Sequence, residues 1–355
     1  MKIAFIVPYP LGKAPSQRFR FEQQLNNFKE KNIDYSFYSF LSDNGFDNLY
    51  KKGKYVFKVF TIFISFFKRF LLMFSLSKYD YIFIHREASP IGPPIFEWII
   101  AKVLKKKVIY DFDDAIWLSN TSNANKIVAN IKWHHKVESI CKWSYKISCG
   151  NEYLGNFAKQ FNSSVYIIPT TVDTDKKHNK SKDHNTKKIV IGWTGTHSTI
   201  KYLYKIEDLL AKLQKEKQFE FVVISNKKPT FKKLRFTYVE WNEISEIEDL
   251  LKFNIGIMPL ENNKWAKGKC GFKAIQYMSL GIPAVVSDVG VNSKIVDNDF
   301  NGFLCNNDND WKTAINELWA LEKRIEFGKK AQIKIQELYS TESQKENYFS
   351  LIFPE

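Results

Sequence analysis

Short apolar runs alternate with segments of helical spacing along nearly the whole chain, and this alternation constrains the fold more than any other feature. Lys2–Tyr9, Tyr35–Phe40, Asp80–His85, Val108–Asp111, Lys146–Cys149 and Val165–Pro169 read as strands. Ile189–Trp193, Phe219–Ser225, Thr237–Trp241, Ile255–Leu260 and Ala284–Asp288 continue the series. Helical spacing runs through Phe21, Leu25 and Phe28 in Gln17–Lys31, and through Tyr55–Leu76 and Ile91–Lys105. Two further helices precede Lys146, and two long amphipathic ones cover roughly Asp310–Tyr339 and Ser343–Ile352. Strand–helix alternation of this kind predicts α/β domains with parallel sheets covered on both faces.

Residues 174–188 (TDKKHNKSKDHNTKK) are polar and without periodicity, so they read as a surface linker. The expected organisation is a first doubly wound domain over 1–173, the linker 174–188, a second over 189–338, and a helix at 339–355 packing back on the first. Two such domains would face a central cleft, with ligands at the carboxyl ends of their strands.

At 355 residues and 44% hydrophobic content the chain can fill two packed cores. The apolar run at Ile3–Val7 lacks a cleavage site after it and reads as a first strand rather than a signal peptide. Cys141, Cys149, Cys270 and Cys305 form no C-x-x-C pair and read as free thiols in a reducing, cytoplasmic compartment. In Tyr55–Leu76 the longest uncharged stretch, Val59–Phe67, is too short to span a bilayer. That segment reads as a helix half buried in the first domain. Its basic flanks also suit peripheral docking on an anionic inner membrane face. The net charge of +15 fits phosphate-bearing partners. The lack of a compact basic-aromatic motif argues against nucleic acid. Six of the 53 basic residues are arginine, so each marks a place where a planar fork can matter, and Arg18, Arg20 and Arg86 fall in strand-end loops.

Five loops carry the chemistry. In Lys267–Pro283 (KGKCGFKAIQYMSLGIP), Gly268 and Gly271 let backbone approach a ligand, and a helix begins near Phe272. Its start would present N–H groups to an anion, flanked by Lys269 and Lys273, and Gly281 and Pro283 end it. Ile191–Leu203 offers Gly195, Thr196, His197, Ser198 and Thr199 at a strand-to-helix turn, suited to phosphate or, more plainly, to an N-cap by Ser198 or Thr199. It is not G-x-G-x-x-G, which disfavours a nicotinamide cofactor. Pro8–Glu22 carries Gly12, Ser16 and Arg18, with Arg20 read as a surface cation. His85 and Arg86 end the third strand, and Asp111, Asp113 and Asp114 the fourth. Arg86 is the expected partner for these carboxylates. Asp113 suits an acceptor hydroxyl or its proton, and Asp111 stays open. Asp111-Phe112-Asp113 also matches a metal-binding D-x-D, a minority reading. His134 and His135 read as structural, Asn151 as a helix cap, and Trp241 as either a base-stacking or a core residue.

Gln276 to Asp288 (QYMSLGIPAVVSD) resembles the donor motif of the retaining GT-B glycosyltransferases that include glycogen-synthase-like and bacterial cell-surface polysaccharide enzymes, glycosyltransferase family 4, also called group 1. In that family a Glu-x7-Glu pair frames the helix; here the two positions are Gly268 and Gln276. The resemblance implies a GT-B fold and transfer of a sugar from a UDP- or GDP-type donor to an acceptor hydroxyl, with retention. The acceptor would be a cell-surface glycan or lipid-linked saccharide. It implies no metal and no cofactor beyond the nucleotide-sugar co-substrate. Gly12, Arg18, Gly195, Thr196, Ser198, Lys269, Gly271, Phe272 and Gln276 would then hold the donor and its phosphates. Ser225 and Trp241 would hold the base, and His85, Arg86, Asp111 and Asp114 the acceptor. Asp113 and Lys273 would act in catalysis. A nucleotide-sugar epimerase of the same fold and a non-catalytic binding homologue are the alternatives.

Overall fold

The computed structural model describes residues 1–49, 51, 53–119 and 132–353. They divide into two compact units, Met1–Thr170 with Gln344–Glu355, and Thr171–Ser343.

In the first unit the strands are β1 (Lys2–Val7), β2 (Asp34–Ser39), β3 (Tyr81–His85), β4 (Lys107–Phe112), β5 (Lys146–Cys149) and β6 (Val165–Ile167). All are parallel, in the order β2-β1-β3-β4-β5-β6. The helices are α1 (Pro15–Arg18), α2 (Leu25–Glu30), α3 (Asp43–Leu49), α4 (Tyr55–Met73), α5 (Ile95–Trp98), α6 (Lys136–Trp143) and α7 (Glu152–Ala158). Strand order reverses between β1 and β3, so their carboxyl ends form the crevice where such sheets bind ligands. Phe5 stacks on Phe21 at 5.2 Å and tilts onto Phe83 at 4.9 Å in the core.

The second unit has β7 (Val190–Gly195), β8 (Glu220–Ser225), β9 (Thr237–Glu240), β10 (Ile255–Met258), β11 (Ala284–Ser287) and β12 (Gly302–Cys305). The order is β12-β11-β10-β7-β8-β9, again parallel, with its switch between β7 and β10. Its helices are α8 (Ile200–Lys205), α9 (Glu207–Lys217), α10 (Glu246–Leu250), α11 (Lys264–Lys267), α12 (Phe272–Ser279), α13 (Asn292–Ile295), α14 (Asp308–Glu317) and α15 (Leu321–Leu338). After it, α16 (Lys345–Ser350) belongs to the first unit, where Tyr348, Phe349, Leu351 and Ile352 join the core of Ile3, Phe5 and Phe28.

Several expectations need correction. Gln17–Lys31 is not one helix: α1, a 3-10 turn at Glu22–Gln24 and α2 replace it. The break lets Arg20 and Phe21, neighbours in sequence, both turn inward. Ile91–Lys105 becomes α5 followed by a π-helix at Ile99–Val103. Residues 174–188 lie largely at the surface, without helix or strand, but are pinned at several points. His178 and His184 are buried, Lys182 N–H donates to the Leu280 carbonyl (2.8 Å), and His184 Nε2 lies 2.8 Å from the Gly281 carbonyl. The backbone and the two histidines make these contacts, which the polar composition did not announce. The single helix over Asp310–Tyr339 is two, α14 and α15, with Arg324 Nη1 donating to the carbonyls of Leu318 and Trp319 (both 2.8 Å) at the break. β12 was not among the expected strands. Of the two helices expected before Lys146, α6 is described, and any within 120–131 lies outside the described residues. No helix among the described residues is long and apolar enough to cross a membrane.

Candidate active site

In the first unit the site begins with register. β3 and β4 pair so that His85 stands opposite Asp111. Arg86 follows in the left-handed region (φ 59°), fixed by its N–H donating to the Asp111 carbonyl (2.7 Å) and by Tyr110 Oη donating to its own carbonyl (2.7 Å). That conformation delivers Nε of Arg86 to Asp113 Oδ1 and Nη2 to Asp114 Oδ2, each at 2.7 Å. Burial works against the charged guanidinium, but the two aspartates outweigh it and hold Arg86 well above its ordinary value. The expected Arg86 partnership therefore covers Asp113 and Asp114.

Asp111 belongs to a different set. It is fully buried; Oδ1 accepts from Arg20 Nη2 (2.5 Å) and Oδ2 lies 2.8 Å from His85 Nδ1. Arg20 also donates to Ser148 Oγ (3.0 Å) and to the Ile168 carbonyl. Burial would raise the Asp111 carboxyl, yet Arg20 and then His85 pull it far below the carboxylate range. Two corrections follow. Arg20 is an interior anchor rather than a surface cation, and Asp111 orients His85 instead of facing an acceptor. An ionised carboxylate only accepts, so the hydrogen sits on Nδ1. His85 Nε2 is buried and without a hydrogen-bond partner, 4.0 Å from Asp113 Oδ1. Asp113 thus stands between Arg86 and His85 and is partly open to solvent.

The loop after β1 is braced from within. Gln17 brackets Tyr9, accepting from its N–H and donating to its carbonyl (both 2.9 Å), and donates to Glu22 Oε1 (3.1 Å). Gly12, at φ 77°, gives its N–H to Glu22 Oε2 (2.9 Å), where a phosphate was expected. Arg18 is buried with its guanidinium 4.9 Å from the Phe19 ring. Burial raises the Glu22 carboxyl against the pull of Gly12, Gln17 and Arg18. Sequence reasoning missed Gln17 and Glu22.

In the second unit β7 ends at Gly195, where a Cβ would lie 2.6 Å from the Trp193 ring and 2.8 Å from Thr199 Oγ1. Only glycine fits that turn. Thr196 Oγ1 and Ser198 Oγ are hydrogen-bonded (2.8 Å), and Thr199 Oγ1 turns back to the Thr196 carbonyl (3.0 Å). Thr199 therefore precedes α8 without capping it. His197 N–H is held by Asn226 Oδ1 (2.9 Å).

α12 starts where expected, at Phe272, behind Gly271 in the left-handed region (φ 66°). No side chain caps it. Lys273 Nζ sits 5.5 Å from the Trp193 ring, which joins this helix start to the end of β7. Lys269 lies over Trp265 at 5.3 Å. Gln276 is buried, and its Nε2 donates to Glu246 Oε1 (3.4 Å), which also accepts from Trp241 Nε1 (3.0 Å). Ser225 is fully buried, and its Oγ accepts from Lys227 N–H (3.4 Å). The structure thus brings Thr196, Ser198, Gly271 and Lys273 to one end of the sheet. It turns Gln276 and Trp241 onto Glu246 and places Ser225 inside. Sequence analysis did not single out Glu246, which opens α10. Asn151 caps α7, accepting from Leu154 N–H (3.0 Å), and His134 Nδ1 lies 2.9 Å from the Ile116 carbonyl.

Residues 188–320 match the family profile described as glycosyl transferases group 1. No curated protein sequence is significantly similar to the chain. Among solved structures, sucrose-phosphate synthase of Thermosynechococcus elongatus superposes with a TM-score of 0.71 at 13% identity, covering 99% of this chain and 98% of that one. A glycosyltransferase of Rickettsia africae gives 0.65 at 12% identity, covering 99% and 97%. Alr3699/HepE of Anabaena, solved in complex with UDP-glucose, gives 0.65 at 12% identity, covering 98% of each chain. The family match in the second unit and the fold shared along the length identify the chain as a glycosyltransferase with the GT-B fold.

Proposed function

We propose that this glycosyltransferase moves a hexose-type sugar from a nucleoside-diphosphate donor, UDP-linked or GDP-linked, to a hydroxyl of a cell-surface glycan or lipid-linked saccharide, with retained anomeric configuration. One observation carries the donor half. The uncapped start of α12, with Lys273 leaning on Trp193, meets the hydroxyl-rich turn after β7 inside the family-matched segment. A helix dipole and an ammonium suit a leaving diphosphate, and they act without a metal. The UDP-glucose bound by HepE favours the uridine nucleotide. Trp241 and Gln276, braced by Glu246, are assigned the nucleoside side.

On the first unit Asp113 is assigned the acceptor hydroxyl. Arg86 pairs with it, and His85, oriented by Asp111, lies beside it for proton sharing. We assign no divalent cation to Asp111–Asp113, because Arg20 and Arg86 already neutralise those carboxylates.

Thermal unfolding with UDP, GDP and their sugars tests the donor reading. A clear upward shift with one nucleotide is expected, and no shift with any of them sinks it. Incubation with the stabilising nucleotide sugar and a glycan acceptor should then give transfer. Epimerised sugar formed without acceptor would point to an epimerase instead.

A further inference from the structure

We propose that the outward face of α4 lies flat on an anionic lipid bilayer. α4 is turned inside out for a surface helix. Its buried side holds Ser65 and Arg69 along with Leu72 and Met73. Its exposed side holds Val56, Val59, Phe60, Phe63, Phe67, Phe70, Leu71 and Phe74. Those positions recur at three- and four-residue steps and fall on one stripe of the helix.

Arg69 explains why the helix sits this way round. Its guanidinium donates to the carbonyls of Val7 and Tyr38 (both 3.1 Å), at the ends of β1 and β2. Burial lowers it to about 10, which leaves it charged at neutral pH and fixes which side of α4 meets the unit. The aromatic stripe is thereby forced outward.

The size of the stripe separates it from an ordinary surface. Phe60, Phe63, Phe67, Phe70 and Phe74 are 61%, 70%, 58%, 50% and 73% exposed. With side chains of about 200 Å² each, these five alone present on the order of 600 Å². That reaches the upper end of the largest apolar patch on a typical monomer. Ile95, Trp98 and Val103 of the following helical segment, which meets α4 through Phe66 and Phe96 (6.0 Å), are exposed as well.

Charge selects the occupant. α4 contains no acidic residue. Lys51, Lys54 and Lys58 gather at its start and Lys68 stands beside Phe67; among the described residues none of the four is in an ion pair. An apolar stripe bordered by unneutralised lysines matches acyl chains beneath anionic headgroups. A 19-residue helix lying in that plane contributes a strip about 28 Å long. Its length and interrupting charges do not suit it to span the bilayer.

The full chain is sedimented with vesicles of phosphatidylcholine containing 30 mol% phosphatidylglycerol and, separately, with pure phosphatidylcholine, using about 30 mol% as a surface-charge setting of the kind that attracts basic segments. Binding at least tenfold tighter to the anionic vesicles is expected. F63S/F67S, which alters only exposed positions and should melt like the native chain, should weaken that binding at least tenfold, and K54E/K68E should narrow the difference between the two vesicle types. The proposal is overturned if the native chain stays in the supernatant with anionic vesicles, or if F63S/F67S binds as the native chain does. It is also overturned if light scattering finds a dimer that F63S/F67S dissolves, since a second copy would then occupy the face.

Discussion

Asp111 has the Arg20 guanidinium on one oxygen, His85 Nδ1 on the other and no solvent, so its effect on stability is a matter of pairing. Removing one partner of a buried pair leaves an uncompensated charge and costs about 3–5 kcal/mol. Arg20→Met should lose that much in denaturant unfolding. The pH dependence has a definite sign. The folded carboxyl lies below its ordinary value, so its contribution is present above about pH 4 and disappears as the pH falls further. In the Arg20→Met protein burial acts without its counterweight, so acidification no longer costs stability through this carboxyl and the acid-side fall should shrink, as unfolding midpoints between about pH 3 and 7 would register. Lys273 belongs to the other unit and to binding. A charge-assisted hydrogen bond to phosphate contributes about 1.5–3 kcal/mol, so Lys273→Ala should weaken UDP binding roughly 10- to 100-fold while the unliganded melting curve is unchanged. Equal affinity for UDP in both proteins would remove Lys273 from the donor site. The scarcity of arginine was the legible clue at this scale. It pointed to Arg18, Arg20 and Arg86, but whether an arginine meets solvent or a carboxylate 91 positions away is decided by topology.

Elements with a strong period and proper punctuation were readable. α12 begins and ends within a residue or so of its Gly271 and Gly281 boundaries, and most strands lie within two residues of their apolar runs. Segments whose packing runs through backbone groups were not. Residues 174–188 contain no apolar pattern, yet they are held by carbonyls of Leu280 and Gly281 and by Arg324 Nη2 reaching the His184 carbonyl (3.5 Å). His184 is held neutral, its imidazole pushed down to about 4 chiefly by burial. The unfolded chain takes up that proton near pH 6.5 and the folded one near 4, so stability falls as the pH drops through this window. His184→Asn should flatten the fall between about pH 6.5 and 4 in the unfolding midpoint of the second unit; an unchanged slope would acquit this histidine. Gly271 marks a second element-scale limit. A Cβ there would lie 2.1 Å from Ile295 Cδ1 in a left-handed backbone. Gly271→Ala should therefore cost about 1–3 kcal/mol, read as a lower melting temperature.

The two units differ in how they are assembled from the chain. The second is continuous, Thr171–Ser343, and has its own core around Trp193, Phe221 and Ile257. The first is discontinuous and depends on Tyr348, Phe349, Leu351 and Ile352, all but fully buried, with Tyr348 Oη donating to the Arg20 carbonyl and Lys146 Nζ to that of Ser350 (2.5 Å). Burying four such side chains stabilises by roughly 6–12 kcal/mol as an upper figure, against about 5–15 for a whole domain. Deleting residues 344–355 should abolish the unfolding transition of the first unit in calorimetry and leave that of the second in place. The doubling of one sheet design was legible from alternation alone. The insertion of α16 into the hydrophobic core of the first unit was not legible in the sequence.

That return also sets an order of events during synthesis. The first unit leaves the ribosome first, but its core stays open until the 173 residues of Thr171–Ser343 have been made. At about 5–20 residues per second this is a wait of roughly 10–35 s. The second unit, needing nothing from later in the chain, is able to fold before the first one closes. Throughout that interval the ring cluster of Phe5, Phe28 and Phe83 lacks its cover, which makes the nascent first unit a client for any factor that shields exposed aromatic surface.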